Sequence, residues 1–482
     1  MATLINLITK KPDWEKKIAN PKIVQKWKNE LLNQNVNPEV LERTLDLLRI
    51  YNTNVAGKET YYEDDPYEWS VSNIKLMAED LGMDKCNCKC AVCEENENIY
   101  NSNYSDSYYD TEGLEELEAN RIKYKNIKCK CKPLKEKRKT KFLSNHIKFF
   151  SGLLSNEEKL KFLKYVSILE NNTPVDYHPG SNNQVIDIVH PSLYCYVKGV
   201  SLYDKNIIEI HDDILFQWLP AEFTVNKNEG SVTSVSIDSY INNLDRTQHP
   251  ELYESIEEIF GNFVPHFESV LEKLFIAKKI NKVKKLDKCQ VIVKIANIIL
   301  TPDNPKYSGG SWHLEGLPSE KIIATGIYYY DITNISDSFL SFRGTIDVHK
   351  FPYPQNCNIY VENHYGLKSV TDENSDGNET IMELGRVKTI QDSYIVFSNF
   401  LQHKISEFEL VDPTKNGSRK ILVFFLIDPD QRILSTADVP QQQGIMSLDN
   451  ARHFRELLMF QRKYEISAQN SFYERGWSLC EH

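Results

Sequence analysis

Apolar residues recur along this chain with two different periods, and the change of period divides it. Within Pro21–Leu32 the apolar positions Ile23, Trp27 and Leu31 fall on one helical stripe, and Leu41, Leu45 and Leu48 continue the spacing after Pro38. Such a stripe gives a helix one apolar face, so residues 1–83 read as a helical N-terminal region. From Phe142 to Asn171 the pattern is again helical, with Ser155 three residues ahead of Glu158 as in a capping box. Pro250 to Lys279 predicts a long helix broken near Gly261 and Pro265. Asn450–Phe460 predicts a closing helix. Elsewhere β-branched and aromatic runs bounded by turn formers predict strands: Val185–Val189, Leu193–Val197, Val232–Ile237, Gln290–Leu300, Ser393–Phe397 and Arg419–Ile427. No internal repeat is found.

Composition narrows the class. At 482 residues, 41% apolar and 26% charged, the chain is an ordinary globular protein long enough for several domains. A net charge of −11 argues against a general electrostatic grip on nucleic acid. No stretch approaches the ~20 apolar residues that cross a bilayer. The first residues lack a basic start followed by an apolar run, so a cytoplasmic or nuclear protein is expected.

Residues 84–141 differ from the rest. Glu94–Asp110 is acidic and aperiodic, while Lys128–Lys141 is basic, which suits a charged, partly disordered insert. Six of the ten cysteines lie here: Cys86, Cys88, Cys90, Cys93, Cys129 and Cys131. In a reducing compartment clustered cysteines point to metal rather than disulfides, and four thiolates would close a zinc site. Cys195, Cys289, Cys357 and Cys480 are scattered and read as idle thiols.

The sharpest chemistry is His313-x-Glu315 with His403 far downstream. On a strand, residues two apart face the same side. Two imidazoles and one carboxylate are the ligands of a facial triad, which leaves the opposite face of an Fe(II) ion open for substrate and O2. His-x-Glu alone arises by chance, but its flanks add weight. The strand Gln290–Leu300 and a turn-rich loop to Gly310 precede it; a strand and a short turn lead into His403; the strand from Arg419 follows. That order is the order of a double-stranded β-helix oxygenase.

Iron in such a triad needs a chelating co-substrate. 2-Oxoglutarate would offer its keto acid to the metal and its far carboxylate to a cation. Arg419 is the first choice for that cation, with Arg343 second and Lys294 third. Trp312 and Tyr328–Tyr330 would either shape a pocket or, as strand aromatics more often do, pack in the core.

The segments Trp312–Tyr330, Leu340–Arg343, Leu401–Lys404 and Leu426–Pro429 resemble a mainly fungal family catalogued as a domain of unknown function. Further matches include Trp14, His190–Leu193, Gln217–Pro220, Ser239–Asn243 and Ser435–Gln442. The resemblance implies a 2-oxoglutarate/Fe(II) oxygenase-like barrel with His313, Glu315 and His403 as its metal ligands. Glutamate in the carboxylate position is tolerated in related JmjC-type oxygenases. The cysteine-rich insert is not part of the pattern.

The expected architecture is α+β: a double-stranded β-helix (jelly-roll, cupin-like) over 285–440, a mixed region 142–284 packed on it, and a helical segment 441–482. The expected activity is Fe(II)/2-oxoglutarate-dependent hydroxylation or demethylation. A non-catalytic cupin-like binding or scaffold protein, and a metal-dependent cupin enzyme that uses no 2-oxoglutarate, fit the same residues. Protein, nucleic acid and small molecule all stand open as substrate.

Overall fold

The computed structural model describes residues 14–33, 145–203, 214–277, 285–345 and 376–473, with isolated positions elsewhere. Cys86, Cys88, Cys90, Cys93, Cys129 and Cys131, and with them the zinc expectation, lie outside the described residues, as do Cys357 and Cys480. Cys195 and Cys289 are buried free thiols.

Helix α1 (Pro21–Leu32) starts at the N-cap Asn20, whose side chain accepts a hydrogen bond from the Lys22 N–H, and it buries Val24, Trp27 and Leu31. Leu41, Leu45 and Leu48 are also buried, as their spacing requires. Where a helix was expected from Phe142, Ile147–Ser151 is instead a strand, β1, and the helix α2 begins only at Asn156 and runs to Asn172. Strand β1 covers the edge of another strand, whose backbone groups would otherwise lack partners. The Ser155–Glu158 capping box is formed and fixes where α2 starts.

Eleven strands make two walls. They are β1, β2 (Val185–Val189), β3 (Ala221–Asn228), β4 (Ser231–Ile237), β5 (Lys288–Leu300), β6 (Ile322–Thr333), β7 (Phe339–Thr345), β8 (Ile381–Lys388), β9 (Ser393–Ser398), β10 (Gln402–Ile405) and β11 (Gly417–Ile427). The large antiparallel sheet has the order β1-β9-β6-β11-β5-β3-β4, with β2 also beside β5; the small one is β8-β7-β10. Strands from the region ahead of residue 285 thus belong to the same sheet as those after it. Of Leu193–Val197 only Tyr196–Val197 pairs as strand, because Tyr194 adopts a positive φ of 59° and turns the chain.

Helix α3 (Pro250–Ala277) crosses the outside of the large sheet unbroken, with Pro265 inside it. An interior proline costs a helix about 3 kcal/mol. Here Phe260, Phe263, Val264, Phe267, Val270, Leu271 and Leu274 are all fully buried. At roughly 1.5–3 kcal/mol for each buried side chain, that packing outweighs the proline. Rings of Phe263 and Phe424 meet at 5.3 Å, and Phe263 meets Tyr394 at 5.5 Å. Gly326 on β6 lets the helix approach, since a Cβ there would lie 2.7 Å from the Phe263 ring. Helix α4 (Leu448–Tyr473) follows the barrel strands. No helix among the described residues is long and apolar enough to cross a membrane.

Candidate metal centre

Register decides which side chains face inward. Val423 on β11 pairs with Ile327 on β6 and with Lys294 on β5, while Phe424 pairs with Gly326 and Val293. Phe424 packs on α3. The opposite face, carrying Arg419, Val423, Ile327, Lys294 and Phe397, therefore looks into the barrel.

The small sheet supplies the other wall. Phe342 on β7 pairs with His403 on β10, and the Phe397 ring meets the His403 ring at 4.7 Å. His313 lies opposite His403, and the two exchange both backbone hydrogen bonds, at 3.2 and 3.1 Å. That one bridge brings together imidazoles from opposite ends of a long stretch of sequence, with ring centroids 4.5 Å apart.

Glu315, two residues on, turns its carboxylate to the same point. Its Oε1 lies 3.2 Å from His403 Nε2 and 3.7 Å from His313 Nε2. Ligand atoms of the three residues all lie within 4.8 Å of one another. Ligands at right angles on one ion, with bonds near 2.1 Å, stand about 3 Å apart, so the spacing suits a single metal. The Asn399 side chain clamps the Glu315 backbone, accepting its N–H and donating to its carbonyl, both at 2.9 Å. Gly316 follows at a φ of 75°, where a Cβ would strike Ile322 and the Glu320 carboxylate.

The protons are arranged for ligation. His313 Nδ1 lies 2.8 Å from the Ser311 carbonyl, so Nδ1 donates there and Nε2 is the nitrogen presented toward Glu315. Burial alone would lower the His313 pKa, but the Glu315 carboxylate and the Ser311 carbonyl raise it overall. Burial works to raise Glu315, yet the two imidazoles hold it well below the usual carboxylate range. Burial, with the charge of His313, lowers His403.

The three expected co-substrate cations fall in different places. Arg419 points inward, 4% exposed, its guanidinium 4.9 Å from the centre of the Tyr329 ring, and its Nε has no hydrogen-bond partner. The charged or titratable groups bearing on it are tyrosines, Tyr329 and Tyr307; no acid pairs with it among the described residues. Arg343 pairs with Gln402, not His403, so it faces out of the barrel. There it donates to Gln402 at 2.7 Å and lies 4.7 Å from the Trp312 ring, engaged away from the triad. Trp312 is likewise outside, sandwiched by Arg343 and Lys404. Of Tyr328–Tyr330, only Tyr329 points inward; Tyr328 and Tyr330 pack against Phe162 of α2. Lys294 faces inward at the level of Val423 and is half-buried.

A second cluster escaped sequence reasoning: His178, Asp187 and His190, with ligand atoms within 4.8 Å of one another. His178 Nδ1 lies 3.0 Å from Asp187 Oδ2, and His190 Nε2 lies 3.9 Å from Oδ1. His190 Nδ1, however, accepts the Ser192 N–H at 3.2 Å, so the ring proton sits on Nε2 and faces Asp187. Arg455 also approaches Asp187, at 3.9 Å. With the His190 Nε2 proton and a guanidinium both turned toward Asp187, this cluster reads as a charge-paired relay, hydrogen-bonded only between His178 and Asp187, rather than as a metal site.

Two facing antiparallel walls with His-x-Glu and a distal histidine at one mouth define a jelly-roll protein with a facial triad geometry. The chain belongs to the family described as "Protein of unknown function (DUF4246)", which matches residues 122–288 and 276–449; the companion "Domain of unknown function DUF4246, N-terminal" matches residues 1–30. No curated protein matches the sequence. Among solved structures, the chain is similar to the selenomethionine-labelled Fe(II)/(alpha)ketoglutarate-dependent dioxygenase TqaL, at 11% identity over 68% of this chain and 95% of that one, with a TM-score of 0.27. It is also similar to a prolyl hydroxylase from Trichoplax adhaerens in complex with a hypoxia inducible factor peptide, at 10% identity over 68% and 97%, TM-score 0.23. A third is IDO from Bacillus thuringiensis, at 9% identity over 61% and 95%, TM-score 0.29. Likenesses this distant carry no weight for function.

Proposed function

We propose that the chain is an Fe(II)/2-oxoglutarate-dependent oxygenase that hydroxylates or demethylates a substrate at the barrel mouth. The observation that carries this reading is the pairing of a His313–Glu315–His403 ligand set with a buried Arg419, free of acid partners among the described residues, on the inward face of the same barrel. A guanidinium removed from water without an anion is costly, and a carboxylate would satisfy it through two parallel hydrogen bonds. The donor set, one carboxylate and two neutral imidazoles, suits iron. When bound, iron and 2-oxoglutarate supply the oxidising chemistry, with the co-substrate leaving as succinate and CO2.

The chain's own residues prepare the site. Ser311 fixes the His313 tautomer and Asn399 fixes the Glu315 backbone, so three ligand atoms converge before any ion arrives. Phe342 and Phe397 make the wall beside His403 apolar and keep water away from it. Arg419 would orient the co-substrate by its far carboxylate, so that its keto acid reaches the triad.

The test is anaerobic titration of 2-oxoglutarate into the Fe(II)-loaded protein, followed by succinate release under O2. Wild type is expected to develop the metal-to-ligand charge-transfer band and release succinate, and His313→Ala to do neither. Equal succinate from both proteins would end the assignment. A metal-bound protein that never develops the band would instead be a cupin-type protein without 2-oxoglutarate.

A further inference from the structure

The barrel interior carries a second cation, and its position separates it from the first. Arg419 pairs with Ile298 on β5, and Lys294 lies four residues along the same strand. At ~3.3 Å per residue the two are about 13 Å apart along the sheet, far beyond the span of one carboxylate. Lys294 lies near enough to His313 for its charge to bear on that ligand, and it bears equally on Asp187 and His190. The register agrees: Lys294 pairs with Val423 and through it with Ile327, two residues from Thr325, whose partner Phe397 meets the His403 ring, while Asp187 pairs with Ala296, two residues along β5 from Lys294.

The acids around it are engaged by other groups. Asp176 pairs with Arg455 and has Arg452 Nε at 3.8 Å. Asp187 is engaged by His178 and approached by Arg455. Lys294 itself makes no hydrogen bond and no ion pair among the described residues. Asp176 and Asp187 are thus engaged by other groups, and Glu315 by the two imidazoles, so no carboxylate is committed to the ammonium. It is half-buried, so water compensates it only in part. An ammonium is a point charge with three donors, suited to an oxyanion of any shape.

We infer that Lys294 anchors an anionic group of the prime substrate, a carboxylate or a phosphate, beside the metal centre. This rests on the oxygenase reading above and names the class of molecule that site accepts. The substrate's anion would lie on the mouth side of the triad, and the co-substrate's far carboxylate at Arg419 on the other. Each cation then serves one ligand, and the order of binding is set by depth.

The test uses the full chain loaded with Mn(II) and saturated with 2-oxoglutarate. Inorganic phosphate and acetate labelled at its carboxyl carbon are the probes, in separate arms, and paramagnetic relaxation of the phosphorus or carbon nucleus reports binding near the metal. Relaxation of at least one probe is expected to fall about fivefold or more in Lys294→Met and to return in Lys294→Arg. The arm that responds tells phosphate from carboxylate. In the same variants 2-oxoglutarate affinity is expected to stay within about twofold of wild type, whereas Arg419→Met loses about thirtyfold or more. Equal relaxation in wild type and Lys294→Met with intact 2-oxoglutarate binding overturns this inference alone. A tenfold loss of 2-oxoglutarate affinity in Lys294→Met also overturns it, by assigning the ammonium to the co-substrate. Failure of wild type to bind metal or 2-oxoglutarate overturns the oxygenase reading, and this inference with it.

Discussion

Replacing Arg419 with methionine is expected to make the ligand-free protein more stable and the site useless. The guanidinium is 4% exposed, its Nε lacks an acceptor, and only tyrosines bear on it. Burying such an ion costs several kcal/mol. The ring of Tyr329, 4.9 Å away, returns about 2 kcal/mol at most. Methionine keeps the unbranched stem and its packing while removing the charge, so Arg419→Met is expected to gain about 1–3 kcal/mol in urea denaturation without metal or 2-oxoglutarate. The same change removes a buried charge-assisted pair with the co-substrate, a loss of about 2–5 kcal/mol, or at least thirtyfold in affinity. The two effects have opposite sign, which a general disruption of the barrel would not produce. A variant that is less stable than wild type and still binds 2-oxoglutarate within about twofold would refute the reasoning.

Other outcomes follow from the same coordinates. Gly326→Ala places a methyl 2.7 Å from the Phe263 ring and is expected to cost about 1–3 kcal/mol in urea denaturation, part of it recovered by a smaller residue at Phe263. Glu320 is fully buried, accepts the Trp218 and Leu317 N–H groups at 2.7 Å each, and pairs with Arg462. Glu320→Ala is expected to cost about 3–5 kcal/mol, with a smaller loss when Arg462→Met is added; simple additivity of the two would show no coupling. Burial, aided by Lys148 and Lys273, lowers the His146 pKa to about 4, against about 6.5 in the unfolded chain. The folded protein thus refuses a proton that the unfolded chain accepts, so stability falls as pH drops from 6.5 toward 4. Between pH 7.5 and 5 the loss from this group is about 2 kcal/mol, and His146→Leu is expected to flatten that slope.

The candidate triad was legible as the spacing His313-x-Glu315, although these residues lie not in a strand but in an irregular segment held by the single bridge from His313 to His403, where the Asn399 clamp on its backbone rather than strand alternation places Glu315. Which face a distant cation takes was not legible. Arg343 and His403 sit on neighbouring strands, and only the register that pairs Phe342 with His403, and hence Arg343 with Gln402, turns Arg343 outward. The relay at Asp187 was hidden for a related reason: His178 reaches it from a segment with no periodic pattern, nine residues away. Asn399 is an ordinary residue in the sequence until the turn after β9 lays it beside Glu315. At Pro265 the local rule was sound and lost to tertiary packing, and at β1 a short aromatic run served a sheet edge as well as it would have served a helix.

Helix α4 touches every polar assembly around the mouth. Arg455 reaches Asp176, Arg462 holds Glu320 just beyond Gly316, and Asn470 donates to the Trp312 carbonyl one residue before His313. All the ligands precede this helix in the chain. During synthesis the barrel strands are therefore complete before the clasp on the loop that carries His313 and Glu315 exists, and that loop reaches its full order only when α4 docks.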